Sequence, residues 1–159
     1  MTREQRGLTL MELMLVIACL GVLSAIALPY WIANGRPAYR LKNASSQVVS
    51  DMRLARIRAA ATNRQYRLRF TPASDSYLLE KGDLPSDSSL WVMEGQPRHF
   101  GPNGGASFSG VDLAGEEQYS MVFRPTGAVT PITVTLQNTL GRTIKIVCSL
   151  AGRIRVVRE

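Results

Sequence analysis

Glu12 is the only charged side chain between Leu8 and Leu28, a run that is otherwise apolar apart from Thr9 and Ser24. A carboxylate near the centre of a membrane helix costs about 3 kcal/mol on insertion scales, and less towards an end, so an acid in such a run calls for a partner. Arginines carry a second chemistry. If the last strand alternates, Arg153 and Arg155 share a face with Val157 while Ile154 and Val156 point inwards. Arg67 and Arg69 extend that basic strip where their strand neighbours it. Guanidinium forks grip phosphate in two-pronged fashion, and such binding weakens steeply with salt. The plainer readings are a solvated edge strand whose arginines deter edge-to-edge pairing, or a patch that meets the acidic 70–120 region of an adjacent subunit.

No catalytic set can be assembled. His99 is the single histidine, set among Gly and Pro as a loop residue, so neither a Cys/His metal cluster nor a histidine-based triad forms, and no cofactor, metal or enzymatic activity is expected. Asp83, Asp87, Glu94, Asp112, Glu116 and Glu117 lack the dense acid and glycine spacing of a calcium loop. Cys19 lies in the apolar run and Cys148 far along the chain, so no intramolecular disulfide is expected.

As a helix, residues 8–28 measure about 30 Å, one hydrocarbon thickness. Arg3 and Arg6 precede the run, and by the positive-inside tendency they hold the start of the chain in the cytoplasm and place the residues beyond Leu28 in the periplasm. A secretory signal peptide is the ordinary alternative, but its core is shorter, carries no acid and ends in a small-x-small cleavage site. Gly7-Leu8-Thr9-Leu10-Met11-Glu12 instead resembles the type IV pilin and pseudopilin superfamily, whose leaders end in Gly and whose processed chains continue as Thr-Leu-x-Glu. The family's usual first residue is Phe, where this chain has Leu8.

That resemblance implies cleavage after Gly7 by a membrane-embedded prepilin peptidase, N-methylation of Leu8, and a helix-bending role for Pro29. It divides the chain into a leader (1–7), a transmembrane and filament-core helix (8–28) and a periplasmic pilin-like domain (29–159). It also implies inner-membrane insertion, an assembly platform and other pilin subunits as partners. The physics of Glu12 then becomes readable. The new amino group of an incoming Leu8 neutralises the Glu12 of its neighbour, replacing two isolated charges in lipid by one pair. The alternative is that Glu12 sits in the headgroup layer close to the membrane face.

The elements that position these residues are set by hydrophobic period. Leu41, Ala44, Val48, Met52, Ala55 and Ala59 recur every three or four residues, the stripe of an amphipathic helix, with Pro29, Gly35 and Pro37 expected to bend or interrupt it. Leu54, Ile57 and Ala61 form a weaker line on the far side, suited to a neighbouring stalk or simply exposed. From Arg64 the period becomes two. Tyr66, Leu68 and Phe70 alternate with Arg67 and Arg69, and the turn-rich 71–76 leads to Tyr77-Leu78-Leu79-Glu80, a hairpin. Further strands are predicted at 119–124, 132–136, 143–148 and 153–157, with 82–118 an irregular connection. The fold class is α+β: a long N-terminal helix, half membrane-spanning and half amphipathic, packed on an antiparallel β-sheet.

Ala55-Arg56, Phe123-Arg124-Pro125-Thr126-Gly127 and Gly141-Arg142 through Gly152-Arg153-Ile154-Arg155 resemble the GspH/FimT subgroup of minor pilins and pseudopilins. The subgroup implies a low-abundance subunit at or near the tip of a type II secretion pseudopilus or a type IV pilus, where it primes assembly. In the FimT branch a Gly-Arg-x-Arg element is associated with capturing double-stranded DNA, which makes DNA uptake through Arg153 and Arg155 the alternative function. Charge is unevenly spread: residues 36–69 hold nine Lys or Arg against Asp51 alone, whereas 70–120 hold eight acids against Lys81 and Arg98.

Overall fold

The structure, a computed structural model, describes residues 10–158, leaving aside the side chains of 26–36, 106 and 107. The chain divides into two compact units that meet between Arg36 and Pro37, and each is described by itself. Helix α1 spans Leu10–Thr62. The interruption expected at Gly35 and Pro37 does not occur: the helix is unbroken through both, because a proline removes hydrogen bonding over only one turn and the flanking turns keep theirs. Its end is set locally. Asn63 adopts a left-handed conformation (φ 51°) and the Arg64 N–H reaches back to the Ala59 carbonyl at 3.3 Å, the hydrogen bond that closes a Schellman-type cap.

In the second unit the predicted stripe is the buried one. Leu41, Ala44, Val48, Met52, Ala55 and Ala59 are all inside the core, while Leu54, Ile57 and Ala61 face out. Burial of each large member contributes about 1.5–3 kcal/mol, which is why this face holds the helix to the sheets. Small Ala44, Ala55 and Ala59 let the strands approach closely.

The predicted hairpin forms from β1 (Tyr66–Thr71) and β2 (Ser76–Gly82), joined by a 3-10 turn and registered from Tyr66 opposite Lys81 to Thr71 opposite Ser76. Two short strands, β3 (Trp91–Met93) and β4 (Arg98–His99), pair with β2. After the short helix α2 (Gly105–Phe108) come β5 (Val111–Ala114) and β6 (Tyr119–Phe123), then β7 (Ile132–Asn138), β8 (Thr143–Cys148) and β9 (Ile154–Arg158). All pairings are antiparallel, but the expected single sheet is two: β3-β2-β1-β6 with β4 on β2, and β5-β7-β8-β9. The division falls between β6 and β7. The segment joining them folds back on β6, with Phe123 bridged to Val129 and the Thr130 N–H on the Val122 carbonyl at 3.0 Å, so β7 pairs with β5 and β8 instead. Residues 82–118, expected to be irregular, therefore contribute three strands and a helical turn.

Alternate positions of β1, β7 and β8 fill the core: Tyr66, Leu68 and Phe70, then Val134 and Leu136, then Ile144, Ile146 and Cys148. An aromatic row crosses it, Tyr119 to Phe70 at 5.2 Å, Phe70 to Tyr77 at 5.5 Å and Tyr77 to Phe100 at 5.4 Å between ring centroids. Such contacts contribute about 0.5–1.5 kcal/mol each beyond area burial, and they join β6, β1 and β2 to the loop after β4.

Candidate functional site

Gly7 and Leu8, the expected cleavage pair, lie outside the described residues. Glu12 lies near the start of the described part of α1. Around it Leu10, Met11, Leu13, Met14, Leu15, Val16 and Ile17 are all exposed, a contiguous apolar surface of the kind that marks contact with lipid or another chain. Among the described residues no helix is long and apolar enough to cross a membrane. The span expected at 8–28 extends past them at its start and includes residues 26–28, whose side chains are not described; the Pro29 backbone lies within α1.

The four arginines expected in one basic strip are separated. Arg67 and Arg69 stand on β1 of the first sheet, whereas Arg155 lies on β9 at the edge of the second and Arg153 in the turn before it. The first pair is also spent. Register places Glu80 opposite Arg67, and its buried carboxylate takes an ion pair from Arg67 Nε and another from Arg69 Nη2 at 3.0 Å. The Arg67 guanidinium further covers the Trp91 ring, 4.2 Å from its centroid. On β9 the alternation holds, with Ile154 and Val156 opposite core residues Cys148 and Ile146, and Arg155 with Val157 on the other face. Val156 nevertheless stays 43% exposed on this edge strand.

Arg56 has a role the sequence did not disclose. From near the C-terminal end of α1 its Nη1 donates to the Gly152 carbonyl at 3.1 Å, and its guanidinium fills the space beside Gly127 as well. Gly152 has φ 73°, and a Cβ there would stand 3.1 Å from Arg56 Cζ and 3.2 Å from the Gly127 carbonyl oxygen. The Val129 N–H bonds the Leu150 carbonyl at 3.0 Å, so the turns before β7 and before β9 are tied to each other and to the helix. Three short sequence pieces, Ala55-Arg56, Pro125-Thr126-Gly127 and Gly152-Arg153, meet at one point.

A second polar centre surrounds Asp51, the lone acid of residues 36–69, and that isolation among cations was the signal for it. Asp51 is buried on α1; Tyr77 Oη donates to its Oδ2 at 2.6 Å, and Arg98 Nε lies 2.9 Å from the same oxygen. Burial, then the hydrogen bond to Asp51 and its charge, push the Tyr77 hydroxyl well above the ordinary phenol range. Arg58 pairs with Glu94 at 2.9 Å, so the strap 94–98 is pinned to α1 at both ends over a cleft of about 530 Å³. His99 stands in β4 opposite Ser76 rather than in a loop. Cys19 and Cys148 are free thiols, and burial pushes Cys148 up. No group of three or more His, Cys, Asp or Glu is placed to hold a metal among the described residues.

Residues 44–152, more than half of the chain, match the family described as Type II transport protein GspH. The chain belongs to that family. Residues 2–28 match the prokaryotic N-terminal methylation motif. The pilin-like protein PilA1 of Thermus thermophilus is 34% identical over 98% of this chain and 99% of the relative. The minor pseudopilin EpsH from the type 2 secretion system of Vibrio cholerae shares the fold, with a TM-score of 0.58 over 75% of this chain and 97% of that one at 12% identity. The GspH-type chain is thus a structural protein by family, α+β, with a helix packed on antiparallel sheets. The matched region contains Asp51, Arg56, Tyr77 and Gly127 and ends at Gly152, so Arg153 and Arg155 lie just past it.

Proposed function

We propose that this chain is a minor subunit of a filament of the type II secretion pseudopilus or type IV pilus class. Residues 8–28 hold it in the inner membrane with 29–159 in the periplasm. Prepilin peptidase cuts between Gly7 and Leu8, the Leu8 nitrogen is methylated, and the assembly platform moves the subunit to the filament tip, where it primes assembly. The observation that carries this reading is the exposed apolar surface of Leu10 to Ile17 built around one acid near the start of the described part of α1. A surface of that kind is stable only when covered, first by lipid and then by the helices of neighbouring subunits. In that setting the Glu12 carboxylate is met by the amino group of an adjacent Leu8.

DNA capture is not adopted, since two of the four arginines expected to build its strip are engaged by Glu80. The test is the mass of the amino terminus of protein isolated from membranes. N-methyl-Leu8 is expected; a terminus at Met1, or at any residue other than Leu8, defeats the proposal.

A further inference from the structure

We propose that the face of the second unit formed by the start of its helix and the β7–β8 turn is a docking surface for anionic phospholipid headgroups, an inference that rests on the membrane-anchored reading above. A groove of about 470 Å³ opens there between α1 and β8. Ala38, Leu41 and Ile144 form its apolar floor, and Lys42, Arg142 and Arg158 stand at its rim; no acid lines it among the described residues. The three cations are exposed to solvent. Apolar side chains that the fold has not buried accompany them: Tyr39 is 65% exposed beside Ala38, and Leu140 is 53% exposed two residues before Arg142 in the same turn. Cations with an aromatic and an aliphatic tip are the composition that settles at a bilayer surface, where the charges meet phosphates and the tips enter the headgroup layer.

Among the described residues, this chain's own acidic segments do not neutralise the groove. Asp83 and Asp87 lie on the loop that bonds Gln65, past the other end of the helix, with the Gln65 N–H on the Leu84 carbonyl at 2.9 Å. Asp112 is on β5, separated from β8 by β7. Arg40, on the same turn of α1 as the rim, is turned away by its hydrogen bonds to Ser109, 2.8 Å to the hydroxyl. Location in the chain agrees: Ala38 comes ten residues after the end of the expected span, a reach of at most about 35 Å of chain. Tethering raises the effective concentration of lipid at the groove, which lets a weak electrostatic contact be occupied. The consequence is an orientation of the domain on the membrane before it enters the filament.

The full chain, reconstituted in vesicles of phosphatidylcholine or of an equal mixture with phosphatidylglycerol, is first floated on a density gradient to report anchoring. Lipid retained by the extracted protein is then counted by native mass spectrometry. Retained lipid is expected to be enriched in phosphatidylglycerol, and each of Lys42→Gln, Arg142→Gln and Arg158→Gln to lower the enrichment about fivefold, one cation's share at a charged surface. Raising salt should erode it in the unaltered chain too. Equal retention of the two lipids at low salt, or indifference to all three substitutions, overturns the inference while flotation leaves the anchored reading standing. Complete displacement of phosphatidylglycerol by inorganic phosphate identifies a small-anion site and also overturns it. Failure to float with either vesicle removes the anchored reading and this one together.

Discussion

Arg56 Nη1 and the Gly152 carbonyl oxygen lie 3.1 Å apart, fastening the C-terminal part of α1 to the turn between β8 and β9. Gly152 holds φ 73° against the guanidinium, so Gly152→Ala adds both backbone strain and a collision with Arg56 Cζ and the Gly127 oxygen. A loss of about 1–3 kcal/mol in unfolding free energy is expected. Arg56→Ala removes part of the collision, so the double variant should lose less than the sum of the two singles. Denaturant titrations of all four proteins measure this, and strictly additive losses would disprove the packing link.

Among the described residues the Tyr119 hydroxyl is buried without a hydrogen-bond partner, and burial pushes its pKa up to about 12. A raised folded-state pKa means the unfolded chain gives up the proton first. The stability tied to the neutral phenol is therefore fully present below the ordinary value of 10.0 and is lost as pH rises from there through about 12. Tyr77 acts in the same direction. Tyr119→Phe removes an unsatisfied polar group, so it should be neutral or stabilising by about 1 kcal/mol at neutral pH and should shallow the alkaline decline. Urea midpoints across that pH range decide the matter; a Phe variant less stable at neutral pH refutes it.

Arg67 and Arg69 are assigned a structural task, and their removal should be felt as stability. With both gone the Glu80 carboxylate, only 6% exposed, loses its two cations, a loss of about 3 kcal/mol. Glu80→Gln placed on Arg67→Ala with Arg69→Ala should recover most of that by neutralising the stranded charge. Thermal denaturation of the double and triple variants provides the comparison. No recovery in the triple variant would show that lost packing on Trp91, not charge, dominates.

What was legible in the chain was local. The stripe from Leu41 to Ala59 repeats with helical period over five turns, and all six of its members are buried. The alternation of Tyr66, Leu68 and Phe70 fixes a face, and the turn after Thr71 fixes where the hairpin closes, so β1 and β2 could be placed. By contrast, Val111-Asp112-Leu113-Ala114 alternates for only four residues between glycines, too few to stand out as β5. Its pairing with β7 and the division into two sheets depend on contacts far apart in sequence. Arg56 shows no periodic signal for its task either, since Gly152 lies 96 residues away. Glu80 was closer to reach: a register of Arg67 opposite Glu80 comes with the hairpin, and with it the neutralisation that removes Arg67 and Arg69 from a basic strip.

Glu12→Ala tests the assembly step separately from processing. Replacing the carboxylate by a methyl lowers the cost of placing this segment in lipid, so insertion should be unimpaired or improved. The cleavage pair Gly7-Leu8 is untouched, and N-methyl-Leu8 should still be found. On the proposed reading the pair between Glu12 and an adjacent amino group is lost, which leaves that ammonium without a counter-charge among apolar helices, a penalty of about 3–5 kcal/mol. At about 1.4 kcal/mol per tenfold, incorporation should fall by about two to three and a half orders of magnitude. Sheared filaments probed for this subunit measure the effect against the membrane pool. Glu12→Asp, which keeps the charge on a shorter arm, should be intermediate; full incorporation of the Ala variant would mean that the amino group is satisfied by something other than Glu12.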